Sequence, residues 1–169
     1  MNCVNSFPPL CSPQARLLIL GSMPGVASLN AQQYYAHPQN QFWKILGSLI
    51  GFDPASSNEQ RMRHLTQAGI AVWDVLASCV REGSLDAAID KTSAVPNDFA
   101  AFFASHPAIQ RVCFNGTAAE SIFMRQVRPH LPISLTQQYV RLPSTSPANA
   151  SISLADKLTI WSAAISDLA

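Results

Sequence analysis

Residues 16–21 (RLLILG) form a short apolar run that ends at a glycine and leads into a loop with Pro24. A run without polar alternation is typical of a parallel strand that is covered on both faces. Residues 70–77 (IAVWDVLA) repeat the pattern, with Asp74 as their one charged side chain, and residues 112–115 give a third run. Such strands need covering elements on both sides, so the sequence predicts helices on either face of a sheet.

Segments with helical spacing of apolar residues, or with a glycine just after the last turn, separate these runs. We predict helices over residues 40–49, 58–68, 96–105, 117–126 and 153–168, and one or two further strand segments within residues 132–142. Strands that alternate with helices indicate βαβ units. The predicted fold class is therefore α/β: a three-layer α/β/α sandwich with a central, mainly parallel four-stranded sheet.

The chain has 169 residues, 48% of them hydrophobic, which is enough to bury the core of one domain. We therefore expect a single domain over residues 1–169. Only 12% of the residues are charged, and 11 Lys and Arg stand against 10 Asp and Glu, so composition indicates no basic patch. A protein that binds DNA mainly by counterion release carries a larger positive excess. Any DNA contact must then come from backbone amides and hydroxyl groups.

No run approaches the roughly 18 apolar residues of a membrane helix, and residues 1–12 lack the basic start and long apolar centre of a secretory leader. We expect a cytoplasmic protein. The sequence contains neither a CxxC pair nor a histidine at zinc-finger spacing from a cysteine. We therefore expect reduced thiols at Cys3, Cys11, Cys79 and Cys113, no metal and no cofactor.

Ligands of open parallel sheets bind beyond the carboxyl ends of the strands. The predicted strands place four loops on this rim: residues 22–39, 77–85, 115–116 and 143–150. Two of these loops are rich in residues that can take part in catalysis or that form tight turns. The first carries GSMPG (21–25) and YYAHPQNQFW (34–43), and the last carries LPSTSPANA (142–150).

These motifs, in this order and at these strand ends, resemble the uracil-DNA glycosylase superfamily. The closest resemblance is to its hypoxanthine-DNA (deoxyinosine) glycosylase branch, and the HPxNxFWK core is similar to that of the mismatch-specific uracil/thymine-DNA glycosylases. The likeness runs over most of the chain. It implies a monofunctional enzyme of base excision repair, which flips a deaminated base out of DNA and hydrolyses its N-glycosidic bond to leave an abasic site.

The resemblance also implies a catalytic residue. In the mismatch-specific relatives an Asn or Asp in the first motif orients the attacking water, but that position is Met23 here, which cannot do so. The branch that this chain most resembles uses the Asn of HPxN, which is Asn40. Asn40 also fits a helix N-cap, and both roles can hold if the cap faces the pocket. His37 is a further catalytic candidate, as a stabiliser of the leaving base, a loop-ordering donor or a packed histidine.

A base pocket is expected around the first loop and the strand ends. Its implied members are Gly21, Ser22, Met23, Pro24, Gly25, Tyr35, Asp74 and Asn115. Tyr35 matches the aromatic residue that stacks on the flipped base in the relatives. A carboxylate at Asp74 could accept from the N1–H of hypoxanthine or the N3–H of uracil, whereas adenine N1 and cytosine N3 carry no hydrogen. Asp74 could instead cap a neighbouring turn, and Asn115 could simply make a turn before a helix.

The last loop resembles the family segment that compresses the DNA backbone and wedges into the duplex. Its implied DNA-binding residues are Ser144, Thr145, Ser146, Pro147, Ala148 and Asn149. Hydroxyls and amides there could bind phosphate, and a rigid proline could fill the space left by the extruded nucleotide. Composition alone would favour an ordinary Ser/Thr/Pro turn.

Three alternatives remain open: a uracil or mismatch-specific glycosylase, a non-catalytic DNA-lesion-binding protein, and a small-molecule enzyme on a Rossmann-like sheet. The last would need a GxGxxG loop or a serine nucleophile elbow, and the sequence contains neither. The expected partner is DNA with a deaminated base. We expect no membrane partner and a monomer.

Overall fold

A computed structural model describes residues 2–168 of the chain. In chain order its strands are β1 (Cys3–Asn5), β2 (Leu17–Gly21), β3 (Ile70–Asp74), β4 (Leu76–Arg81), β5 (Ile89–Pro96), β6 (Arg111–Asn115) and β7 (Gln138–Leu142). Four of them form a parallel sheet in the order β3-β2-β6-β7. The predicted central sheet is thereby confirmed.

Six α-helices accompany the strands in this part of the chain. They are α1 (Val26–Ala31), α2 (Phe42–Ile50), α3 (Asn58–Gln67), α4 (Phe99–Ser105), α5 (Thr117–Ile122) and α6 (Leu154–Ile165). The helix α5 continues as a π-helical segment over Phe123–Val127. None of the helices in residues 2–168 is long and apolar enough to cross a membrane.

Alternate residues of each central strand enter two separate apolar clusters, as the period of two requires. Leu17 and Ile19 of β2 belong to a cluster with side chains of α2 and α6. Leu18 and Leu20 of the same strand belong to a cluster with the phenylalanines of α4 and with residues of α5. The sheet therefore lies between two helical layers, which confirms the predicted sandwich.

The predicted helix over residues 96–105 begins later than expected. Pro96 is the last residue of β5, and the Asp98 side chain accepts from the Ala101 N–H at 3.1 Å, so α4 begins at Phe99. An aspartate in this position satisfies one of the free amides of the first turn. Helix α2 likewise begins at Phe42 rather than at residue 40.

The segment 70–77 is not one strand, and this prediction was wrong. β3 ends at Asp74, where the Val75 N–H donates to the Gly21 carbonyl oxygen (2.8 Å) and the Leu76 N–H donates to the Ser22 carbonyl oxygen (3.2 Å). Beyond Val75 the chain continues as β4 in a second, antiparallel sheet of order β1-β4-β5. Most of the predicted loop 77–85 is therefore strand.

Candidate functional site

A cavity of about 270 Å³ lies at the carboxyl ends of β2, β3 and β6, whose last residues are Gly21, Asp74 and Asn115. Its volume is close to the lower end of the range found for ligand pockets. The predicted site residues that line it are Gly21, Ser22, Met23, Pro24, Gly25, Tyr35, His37, Asn40, Asp74, Asn115, Ser144, Thr145, Ser146, Pro147 and Ala148. Asn149 is the one predicted member that does not line it.

Asp74 forms part of the cavity floor and is only 4% exposed. Its Oδ1 lies so close to Gly21 that a β-carbon on the glycine would be 2.6 Å away. Its Oδ2 is buried and has no hydrogen-bond partner within residues 2–168. Burial is the main cause that raises the pKa of this carboxyl to about 7, the Asp86 carboxylate raises it further, and the Arg81 guanidinium acts in the opposite direction.

Tyr35 enters the cavity from a left-handed backbone conformation, with φ 52°. Its ring stacks on Phe42, with 3.9 Å between centroids and 18° between planes. The preceding Tyr34 anchors this turn, because its hydroxyl donates to the Pro8 carbonyl oxygen (2.8 Å) and its own carbonyl accepts from the Trp43 indole N–H (3.0 Å). Phe42 therefore covers one face of the Tyr35 ring.

Asn40 sits beside the start of α2. Its Oδ1 accepts from the Phe42 N–H at 2.9 Å, and its own N–H donates to the His37 carbonyl oxygen at 2.9 Å. The residue that caps α2 by position is Gln41, so Asn40 supports the first turn from one residue further away. An amide oxygen has two lone pairs, so Oδ1 keeps one for a water in the cavity. The structural and the catalytic roles are therefore compatible.

His37 lies exposed at the cavity rim. Its Nδ1 is 3.1 Å from the Gln39 backbone nitrogen and accepts from that N–H. Because an accepting nitrogen carries no proton, the neutral ring holds its proton on Nε2. This contact orders the loop, with His37 as the acceptor and not as the expected donor.

Met23 is buried in a small apolar cluster with Leu76, Cys79 and Ile89. The first motif thus places an apolar side chain in the core beneath the second sheet, at the position where the mismatch-specific relatives have their polar residue. Met23 supports the cavity wall by packing.

Asn115 joins the end of β6 to the last loop. Its Nδ2 donates to Thr145 Oγ1 and its Oδ1 accepts from the Thr145 N–H, each at 3.0 Å. Thr145 has no exposed surface, and its carbonyl oxygen accepts from the Gln41 N–H at 3.0 Å. The Thr145 hydroxyl accepts a hydrogen bond inside the loop in this conformation, and its contact with DNA stays a prediction.

The rest of this loop divides between inward and outward positions. Ser144 and Ser146 are half-buried, and their hydroxyls accept from the backbone N–H two residues further along, at 3.1 and 3.2 Å. Pro147 and Ala148 are exposed. The Asn149 side chain turns back and donates to the Ser144 carbonyl oxygen at 3.2 Å, which explains why it does not reach the cavity.

Lys157 of α6 holds the end of this loop and was missed by the sequence analysis. Its buried ammonium donates to Gln41 Oε1 (3.0 Å) and to the Asn149 carbonyl oxygen (2.9 Å). Burial lowers the pKa of this group. The cation therefore ties α6, the start of α2 and the last loop together behind the cavity.

One wall of the cavity comes from the turn between β4 and β5, a segment that the sequence analysis placed on this rim within residues 77–85 without naming a site residue in it. Ser84, Leu85 and Asp86 line the cavity there. We call residues 82–86 the wall turn. The one sequence signal for it is Gly83-Ser84, a pair typical of turns between strands, and Gly83 has φ 71°.

Among residues 2–168, no three or more His, Cys, Asp or Glu side chains are grouped so that they could hold a metal ion. The polar groups on the cavity floor are a buried carboxyl, a phenol and carboxamides. These groups can orient a planar polar ligand and a water molecule by hydrogen bonds.

Comparison with known proteins places this arrangement in a family. Residues 8–168 match the model of the uracil DNA glycosylase superfamily. A "Hypoxanthine DNA glycosylase" of Methanosarcina acetivorans is 34% identical over 146 residues, which are 85% of this chain and 86% of that protein. A protein of the same name from Methanosarcina barkeri is 41% identical over 111 residues, which are 65% of this chain and 69% of that protein.

A solved structure agrees with the family match and with the two relatives. The solution NMR structure of a proposed uracil DNA glycosylase from Methanosarcina acetivorans superposes with a TM-score of 0.83 at 31% identity, and the match covers 99% of each chain. The family resemblance inferred from the three motifs is thus confirmed over almost the whole length. The chain belongs to the uracil DNA glycosylase superfamily.

Proposed function

We propose that this chain is a monofunctional DNA glycosylase that excises a deaminated base, with hypoxanthine as the preferred one. The observation that carries the proposal is the buried Asp74 carboxyl, which has an unpartnered oxygen within residues 2–168 and faces a cavity that also holds Tyr35 and Asn40. Two relatives with hypoxanthine DNA glycosylase as their name support the choice of base.

Asp74 reads the edge of the flipped base. The raised pKa of about 7 leaves part of the Asp74 carboxyl ionised at neutral pH, and an ionised carboxylate only accepts hydrogen bonds. Hypoxanthine offers N1–H to a carboxylate oxygen, whereas neutral adenine presents a bare N1. A buried acceptor left without a donor is costly, so adenine is disfavoured in the pocket.

Asn40 orients the attacking water through its amide oxygen. The water oxygen bonds to C1′ of the sugar as the C1′–N bond breaks, the bonding electron pair leaves with the base, and the water proton passes to solvent or to the departing base. The sugar is oxocarbenium-like in between, so positioning the water and excluding bulk solvent matter more than a strong base. This step uses no metal or cofactor.

Tyr35 stacks on the base with the ring face opposite to Phe42. The exposed Pro147 and Ala148 and the half-buried Ser144 and Ser146 present a neutral surface to the DNA backbone. Amides and hydroxyls position phosphates without formal charge, which fits a chain with a net charge of only +1.

The test is single-turnover cleavage of labelled duplexes that carry one hypoxanthine, uracil or xanthine, followed by alkali to break abasic sites. We expect hypoxanthine to be released fastest. Faster release of uracil would replace our substrate with the one favoured by mismatch-specific enzymes. Lesion binding without release from any duplex would leave the chain as a non-catalytic binder and refute the proposal.

A further inference from the structure

The side chains that border the cavity carry unbalanced charge. Two carboxyl side chains line it, Asp74 on the floor and Asp86 in the wall turn, whereas no lysine or arginine among residues 2–168 does so. His37 at the rim also lines the cavity, and its Nδ1 accepts from the Gln39 N–H, which requires the neutral ring. The lining therefore favours a positively charged ligand over a negative one.

Two buried cations stand behind the cavity walls. Arg81, at the end of β4, is 2% exposed and donates to the Pro24 carbonyl oxygen. Lys157 is equally buried and donates to Gln41 Oε1 and to the Asn149 carbonyl oxygen. Because neither cation lines the cavity, neither can pair with an anionic ligand inside it.

Asp74 and Asp86 act on the same part of the cavity. The Ser22 hydroxyl donates to Asp86, and a β-carbon on the preceding Gly21 would lie 2.6 Å from Asp74 Oδ1. Repulsion from the Asp86 carboxylate adds to burial in raising the pKa of the Asp74 carboxyl. Asp74 Oδ2 is also buried without a hydrogen-bond partner in residues 2–168. A ligand that brings a hydrogen-bond donor and a positive charge would satisfy this oxygen and relieve the repulsion.

The charge of the cavity also acts on the base that leaves. When the C1′–N bond of hypoxanthine breaks, the bonding electron pair makes the base anionic until a proton reaches it. Carboxylates beside the base oppose this charge. A purine alkylated at N7 is a cation before cleavage, so the same electron pair makes it neutral and no proton is needed.

We propose that the cavity also binds cationic N7-alkylated purines, with 7-methylguanine as their representative, and that the protein excises them from DNA. This inference rests on the proposed glycosylase function and widens its substrate class. 7-Methylguanine offers Asp74 the same N1–H as hypoxanthine does. Its positive ring can stack on Tyr35, because an aromatic face attracts cations, and Asp86 supplies a counter-charge at the wall.

The excision balances without a proton donor. The water oxygen that Asn40 orients bonds to C1′ as the C1′–N9 bond breaks. The bonding pair moves onto the base and cancels its charge, so neutral 7-methylguanine leaves, and the water proton passes to solvent. The negative lining therefore does not oppose this departure as it opposes that of hypoxanthine.

The test measures single-turnover release of 7-methylguanine and of hypoxanthine from duplexes that differ only in that base. The enzyme is kept below saturation, so that binding contributes to the rate, and release in enzyme-free samples is subtracted. We expect the wild type to release 7-methylguanine. Asp86→Asn keeps an oxygen for the Ser22 hydroxyl but removes the charge. Its 7-methylguanine rate should fall about fivefold, which is the contribution of one charge pair in a water-like dielectric, whereas its hypoxanthine rate should rise.

Asp53→Asn is the matched control, because Asp53 is an exposed aspartate between α2 and α3 that does not line the cavity. It should leave both rates unchanged. Release of hypoxanthine without 7-methylguanine would overturn the inference and leave the proposed function intact. An Asp86→Asn variant with both rates lowered equally, or with neither changed, would overturn it as well, since Asp86 would then act only through the loop or not at all.

Binding gives a readout that does not need cleavage. A 2′-fluorine on the sugar makes the glycosidic bond resistant, so duplexes with 2′-fluorinated 7-methylguanosine or guanosine can be compared by titration. We expect the wild type to bind the methylated duplex about fivefold more tightly, and Asp86→Asn should remove this preference. If the wild type releases neither hypoxanthine nor 7-methylguanine, the proposed function fails and the preference decides the inference: its presence upholds the cation-binding cavity, and its absence overturns it.

Discussion

Replacing Asp74 by asparagine should stabilise the protein, and the gain should grow with pH. The carboxyl is 4% exposed, and its pKa is raised from 3.8 to about 7 by burial first and by the Asp86 carboxylate second. In the unfolded chain it ionises near its ordinary value. Between pH 3.8 and about pH 7 the Asp74 carboxyl keeps its proton in the folded protein and has lost it in the unfolded chain. The unfolded state is therefore favoured more as the pH rises.

The magnitude follows from the difference between the two pKa values. Each pKa unit corresponds to about 1.4 kcal/mol, so the full destabilisation above pH 7 is about 4 kcal/mol. It is absent below pH 3.8, develops progressively up to about pH 7 and is then constant. An amide of the same shape does not ionise. The stability difference between Asp74→Asn and the wild type should therefore widen by about 3 kcal/mol between pH 5 and pH 8.

Urea unfolding of both proteins at pH 5, 6, 7 and 8 measures this difference directly. Comparing the change with pH, rather than the value at one pH, removes any fixed cost of packing the amide. Asp98→Asn is a suitable control, because Asp98 lies on the surface as the cap of α4 and should give no such widening. A stability difference that is the same at pH 5 and pH 8 would refute the reasoning, since Asp74 would then ionise at its ordinary pKa.

Three further substitutions test the site. Asn40→Ala should lower the single-turnover rate about a hundredfold or more, as loss of a group that acts in the transition state does. Asn40→Asp should lose less of the rate, because it keeps an oxygen that can accept from the Phe42 N–H and from water. Equal losses in the two variants would exclude water orientation by the side-chain oxygen. Tyr35→Ala should weaken binding of lesion DNA by about 1–3 kcal/mol, and Tyr35→Phe should bind normally in the same titration unless the hydroxyl rather than the ring face carries the contact. Gly21→Ala would place a methyl group 2.6 Å from Asp74 Oδ1, so it should impair cleavage while far-ultraviolet circular dichroism stays native; full activity would show that Asp74 can move.

The central sheet and most of the cavity could be predicted because they follow from patterns along the chain. Buried parallel strands appear as uninterrupted apolar runs, and their carboxyl ends must meet at one edge. That rule brings Gly21 and Asn115 together, although they are far apart in sequence, whereas Asp74 ends its strand only because β3 stops three residues before the predicted end. The family motifs added Tyr35 and Asn40, whose chemistry no spacing rule would reveal.

The second sheet was not predictable in the same way. β5 has the sequence IDKTSAVP and is mostly exposed, so its apolar residues do not alternate with the period of two that reveals a half-buried strand. The wall turn is then fastened by side-chain contacts between residues 58 and 64 positions apart in the chain. Long-range pairs of this kind leave no local signal.

The sequence analysis missed Lys157 for a different reason. A lysine in an amphipathic helix is expected on the solvated face, and nothing near it in the sequence indicates otherwise. Its burial depends on two oxygens, Gln41 Oε1 and the Asn149 carbonyl, that reach it only after α2 and the last loop are in place. The sequence contains the donor, but its acceptors are supplied by the tertiary structure.

The junction between the two sheets has a consequence for catalysis. Val75 and Leu76 are hydrogen-bonded to the backbone of Gly21 and Ser22, so the residue before them, Asp74, sits where both sheets are joined. The backbone that carries this carboxyl is therefore held next to two hydrogen-bonded frameworks. Under the proposed function, the backbone position of the group that meets the base is set when the protein folds, so little reorganisation energy remains to be supplied in each turnover.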